Sequence, residues 1–98
     1  MDGGSVPLAP KFALGQTVMT QGAATAFTTT GDHPFSFLAR HVYGDWGEIS
    51  EEDAAENEIS VTQGFRVLSA YTLSDGTRIW IITEADRSVT TILLPEEY

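Results

Sequence analysis

The feature that most constrains this chain is a change of period at Phe65. Before it, apolar residues recur at three- and four-residue spacing; after it they come in short runs separated by turn residues. Phe65-Arg66-Val67-Leu68-Ser69-Ala70-Tyr71-Thr72 reads as a strand, and Ser74-Asp75-Gly76-Thr77 carries the Asp-Gly pair of a tight hairpin. Arg78-Ile79-Trp80-Ile81-Ile82-Thr83-Glu84 is a second strand, apolar on nearly both faces, which places it centrally in a sheet. Ala85-Asp86-Arg87 turns the chain again. Ser88 to Leu94 is the third strand, stopped by Pro95.

Upstream of the switch the pattern is helical. Thr20 suits an N-cap, with Gln21 to about Thr29 as a short helix that Gly31 ends, and Thr28-Thr29-Thr30 weakens its last turn. A second helix starts with Pro34 at its first position and ends before Gly44; Phe35, Leu38 and Val42 form its core-facing stripe, with Phe37 beside them. A third opens at Ser50, with Asp53 in a variant capping box, and closes near Gly64. Ala55 and Ile59 give it a thin apolar stripe, so it is expected at the surface. Phe12 to Met19 reads as a short extended segment of weak pattern. The expected architecture is α+β: two or three short helices packed on a three- to four-stranded antiparallel meander. Residues 1–10, rich in Gly and Pro, read as a flexible lead-in, and 11–98 as one domain.

The 98 residues carry 14 acidic and 5 basic side chains, a net charge of −9. The charge is concentrated. Asp45, Glu48, Glu51, Glu52, Asp53, Glu56 and Glu58 fall in a stretch that contains no Lys or Arg. Such a chain is not expected to hold nucleic acid by general phosphate neutralisation. With no cysteine it has no disulfide framework and no Cys-based zinc site. No apolar run reaches the length of a membrane span, and the start lacks the regions of a signal peptide, so a cytoplasmic protein without membrane contact is expected. The acidic run lacks the alternating ligands and mid-loop glycine of a calcium loop; no metal and no cofactor are expected.

Several side chains are candidates for chemistry or recognition. His41 could act as a general acid or base, or could sit in the last helical turn because the dipole favours it there, as Arg40 does. In Gly44-Asp45-Trp46-Gly47, the Trp either faces a partner or plugs the core beneath a tight turn. Trp80 reads as structural. Asp86 and Arg87 offer either a structural ion pair, Arg87 reaching Glu84 or Asp45, or a binding edge at the second hairpin. Glu51, Glu52 and Asp53 lie in the first helical turn, where negative charge is worth about 0.3–1 kcal/mol each. Glu52 and Glu56 face each other at i,i+4 with like charge, a penalty of roughly 0.2–0.5 kcal/mol. Such acids either keep a solvated face soluble or meet a basic protein groove in place of a phosphate track.

The stretch Arg40-His41-Val42-Tyr43-Gly44-Asp45-Trp46-Gly47-Glu48, with Glu52-Asp53, Asn57 and Leu68-Ser69-Ala70-Tyr71, is distinctive. So is the ending from Trp80 through Thr83-Glu84-Ala85-Asp86-Arg87-Ser88 to Leu94-Pro95-Glu96-Glu97-Tyr98. From Leu14 to Tyr98 the chain resembles a family of small bacterial proteins carried on plasmids, integrative elements and phage-related islands. They are labelled plasmid-related protein or type I restriction endonuclease subunit M. Similar sequences tend to have Pro where Gln21 stands, and a more charged first helix. The methyltransferase label implies a much larger nucleotide-cofactor fold and a Gly-rich loop, and neither is present here.

The layout of a helix bearing Arg40-His41 ahead of a small antiparallel sheet is also similar to barnase–colicin–RelE-type ribonuclease domains. That resemblance implies His41, Arg66, Ser69 and Thr90 as catalytic residues. Two functions are therefore expected in order. The first is a non-enzymatic accessory protein of a mobile element. It would bind a basic surface on a nucleic-acid-binding defence complex through Asp45, Trp46, Glu48, Glu51, Glu52, Glu56, Asp86 and Arg87, in the manner of an anti-restriction or anti-CRISPR protein. The second is a small ribonuclease or toxin-like domain. A homodimer paired through an exposed sheet edge is a third reading.

Overall fold

A computed structural model describes residues 9–98, so most of the expected flexible lead-in lies outside the described residues. In chain order the elements are β1 (Gln16–Met19), α1 (Gln21–Thr30), α2 (Pro34–Val42), α3 (Glu51–Gln63), β2 (Val67–Thr72), β3 (Arg78–Thr83) and β4 (Val89–Leu93), then a 3₁₀ turn, Pro95–Glu97. Helix ends follow local chemistry. The Thr20 hydroxyl accepts from the Ala23 amide, and the Ser50 hydroxyl from the Asp53 amide. Gly31 and Gly64 close α1 and α3 in the left-handed conformation. His33 precedes α2 without a side-chain cap; Pro34 stands at the first helical position, where an amide would have no partner within the helix, and the Ser36 amide donates to the His33 carbonyl.

The fold is α+β, with one difference from the expected sheet. β2, β3 and β4 form the antiparallel meander, but β1 joins it parallel to β4, in the order β1-β4-β3-β2. The path of the chain allows this: β1 leads into three helices and forms no hairpin with its neighbour in space. Gly15 permits the join. Its φ is +66°, and a Cβ there would run into the carbonyls of Arg87 and Ser88.

Alternation along the strands puts Val67, Ser69, Tyr71, Ile79, Ile81, Thr83, Thr90 and Ile92 on the face that α1 and α2 cover. Ala23 and Phe27 of α1, Leu38 of α2, Tyr71, Leu73, Ile79, Ile81 and Ile92 make the core. Phe37 joins its border, with its ring 5.9 Å from Phe27 and 5.4 Å from Tyr71. Two expected stripes are corrected. Phe35 is 80% exposed, because the first turn of α2 lies beside β1, the edge of the sheet, with no further strand among the described residues to cover it. In α3 the inward residues are Asn57 and Ser60, while Ala55 and Ile59 face out. α3 meets a strand edge, and a strand edge offers backbone groups that a polar side chain can bond.

That edge is closed. The Asn57 amide donates to the Leu68 carbonyl (2.7 Å) and accepts from its N–H (3.2 Å). One residue pair further along, the Ala70 N–H donates to the Trp46 carbonyl and the Ala70 carbonyl accepts from the Glu48 N–H. Gly47, at φ +78°, makes this approach possible, since a Cβ would overlap the Ala70 carbonyl. At the other end of the chain the Glu97 carboxylate accepts from the Thr20 hydroxyl, the Gly22 amide and the Leu94 amide. It thereby caps α1 from a distance of 77 residues in sequence, and these bonds hold its pKa below the ordinary range.

Candidate functional site

The acidic helix is the first candidate. Glu51, Glu52, Asp53 and Glu56 are all exposed, and none has an ion-pair partner among the described residues. The five basic side chains are engaged elsewhere. Lys11 reaches Glu58, Arg40 pairs with Asp45 (2.7 Å), Arg66 with Glu84 (3.2 Å) and Arg78 with Glu48 (3.7 Å). Arg87 bonds no carboxylate among the described residues; its guanidinium donates to the carbonyls of Phe65 (2.6 Å), Ser60 (2.9 Å) and Glu84 (3.1 Å), capping the end of α3. A non-glycine φ of 61° at Arg87 aims it there.

The other expected partner-binding residues are drawn inward or committed. Trp46 is only 6% exposed. It stacks on Phe12 and donates its indole N–H to Glu58 (3.0 Å), so it plugs the structure rather than facing out. Arg40 holds the Asp45 carboxyl below its usual pKa range. Glu48 bonds Thr72 as well as Arg78. Asp86 closes its own turn by accepting from the Ser88 amide and hydroxyl. Of the expected residues, those that remain outward and without an ion-pair partner among the described residues include Glu51, Glu52 and Glu56 of α3.

Beside α3 lies a groove of about 490 Å3, lined by Asp53, Glu56, Asn57, Leu68, Trp80 and Tyr98. The Trp80 and Tyr98 rings meet edge to face at 5.6 Å. Trp80 is partly open to solvent, and Tyr98 forms a wall of this groove. Asn57, Trp80 and Tyr98 are not among the residues that the sequence offers for recognition. The signal for Trp80 was available in strand alternation, which turns it to the face opposite Ile79 and Ile81.

The second candidate is the set His41, Arg66, Ser69 and Thr90. Three of the four converge, and a residue absent from that set, Thr83, joins them. His41 Nδ1 lies 2.6 Å from the Ser69 hydroxyl and Nε2 2.9 Å from the Thr83 hydroxyl; Thr83 lies 2.7 Å from the Thr90 hydroxyl. Thr90 donates to the Leu14 carbonyl at 2.6 Å. That last bond orients every proton. Thr90 has one hydrogen and spends it on Leu14, so it accepts from Thr83, and Thr83 in turn accepts from His41 Nε2–H. Nδ1 is left to accept from Ser69, and the imidazole is neutral. All four side chains are fully buried. Phe12 lies edge-on to the imidazole at 5.1 Å, with Trp46 at 6.1 Å. Burial, assisted by the charge of Arg87, lowers the His41 pKa to about 3.

Arg66 is elsewhere, on the surface with Glu84 and the Tyr98 hydroxyl (2.9 Å). The arginines scatter over four separate partnerships and build no phosphate-binding patch around His41. The His41 cluster can hold the sheet to α2 and to the chain before β1. It has neither an opening for a substrate nor an imidazole that titrates near neutral pH. No protein-family model, no curated protein and no solved structure matches this chain.

Proposed function

We propose that this chain is a non-enzymatic interaction protein that occupies a basic, nucleic-acid-binding surface on another protein. One observation carries the reading: four exposed acids on α3 have no counter-charge among the described residues, while all five basic side chains are bound to other groups. A face that keeps its charge uncompensated favours association with the opposite charge and accelerates encounter. The adjoining groove suits a Lys or Arg side chain of the partner, which would lie against Trp80 and Tyr98 with Asp53 and Glu56 within reach of its charge. The resemblance to proteins of mobile elements makes a host defence nuclease the concrete class of partner, and antagonism of restriction or CRISPR action the concrete outcome.

The test is capture of partners from the native host, followed by titration of salt. Association weakens steeply as ionic strength rises, and replacing Glu51, Glu52 and Glu56 together by Gln abolishes it at physiological salt. Tyr98→Ala, at a largely exposed position, lowers affinity without changing the fold. Binding that survives the triple replacement unchanged would sink the proposal.

A further inference from the structure

The two edges of the sheet are treated in opposite ways. The outer edge of β2 is sealed by Asn57 and by the Trp46–Glu48 segment. The outer edge of β1 meets no strand among the described residues. The Gln16 and Thr20 amides donate inward to Ser88 and Ile92 (both 3.0 Å), so alternation turns the backbone N–H and C=O of Thr17 and Met19 outward. An open edge is a template for another strand unless charge, proline or a bulge blunts it. β1 has none of these.

The surroundings of that edge are apolar. Two shallow depressions of about 180 and 460 Å3 flank Phe35, between α2 and β1, and share Thr17, Phe35 and Leu38. Phe35 is 80% exposed, Met19 43% and Tyr43 41%. No Asp, Glu, Lys or Arg occurs from residue 12 to residue 31, and none lines either depression. In a chain at −9, two copies repel each other through most of their surface. A neutral face with an open strand edge is where a second copy can approach, and it lies on a different element from the acidic helix.

We infer that β1 pairs with β1 of a second copy, antiparallel and about a two-fold axis. With Val18 on the axis, Thr17 of each copy stands opposite Met19 of the other. The outward N–H and C=O groups of both residues then bond across the interface, and the two four-stranded sheets become one of eight strands. Phe35 of each copy covers the join on the helical side. A basic partner would still find α3 free.

Sedimentation of the full chain across micromolar to submillimolar concentrations tests this. The wild type is expected at twice the chain mass. Phe35→Lys, at a position that contributes little to the core, is expected to shift it to the monomer, with circular dichroism unchanged. Thr17→Pro deletes one outward N–H and is expected to do the same. The Glu51, Glu52 and Glu56→Gln triple variant is expected to remain dimeric, which separates this interface from the partner-binding face. A wild type that is monomeric throughout overturns the inference. So does a dimer that survives Phe35→Lys and Thr17→Pro, or one that the triple variant abolishes.

Discussion

His41 shows how a residue type associated with catalysis can be held in a structural role. Its proton is placed on Nε2 by a chain of hydroxyls that ends on a backbone carbonyl, so a second proton would have to go on Nδ1, inside the core, and would force the Ser69 hydroxyl from donor to acceptor. A group buried neutral contributes stability above its unfolded pKa, and that contribution is lost as pH falls. For His41 the window runs from about 6.5 down to about 3, at roughly 1.4 kcal/mol per pH unit. Nitrogen NMR shifts of His41 are accordingly expected to stay those of the Nε2–H tautomer from pH 8 to pH 5. The urea midpoint should fall with pH over that interval, with a smaller slope in His41→Gln. A His41 that titrates near pH 6.5 in the folded protein would contradict this account. Ser69 and Thr90 were visible in the sequence only through an analogy to ribonucleases, and Thr83 not at all. A threonine inside an Ile-rich strand reads as one more β-branched residue, and hydroxyl pairing across β3 and β4 depends on register.

At the scale of elements, the strands, the three helices and the central place of β3 were legible, because period, capping residues and Asp75-Gly76 all agree. The parallel docking of β1 and the inward face of α3 were not. Both depend on what the neighbouring element offers. β4 offers backbone to Gln16 and Thr20, and the β2 edge offers backbone to Asn57. Asn57→Ala would leave the Leu68 N–H and C=O without these partners, and unpaired buried groups cost about 1–3 kcal/mol each. Loss of stability on that order is expected in chemical denaturation, with Asn57→Asp restoring only the acceptor half. Val67 and Ser69, which face the core from the same strand, should keep native-like environments in folded Asn57→Ala. Ile59→Ser, by contrast, changes an exposed position of the same helix and should leave stability nearly unaltered.

For the whole molecule, the notable quantity is where charge is balanced. Basic side chains pair with acids around the Trp46 turn, at Glu58 of α3 and near the ends of β2 and β3, and among the described residues leave Glu51, Glu52, Asp53 and Glu56 of α3 as a cluster without counter-charge. Like charges on one short helix oppose folding, and salt screens them over about 10 Å at 0.1 M. The melting temperature is therefore expected to rise with sodium chloride below about 0.2 M. The Glu51, Glu52 and Glu56→Gln variant should show a flatter response. A melting temperature that does not depend on salt would mean that α3 tolerates its charge without strain. The acidic segment was plain in the sequence. Its lack of counter-charge was not, since that required knowing which group each basic side chain is bound to.

The parallel seam between β1 and β4 also orders events in time. Residues 16–19 leave the ribosome long before residues 89–92 exist, yet among the described residues they have no other strand of their own chain to join. Through most of synthesis, then, a neutral, strand-prone segment waits unpaired while the helices and the first hairpin form behind it. Closing a loop of that length comes late, since non-local contacts reward the chain only after their entropy has been met. The final strand to be made is thus the one that retires the first, and a nascent chain stalled before β4 would present the same segment to any neighbour.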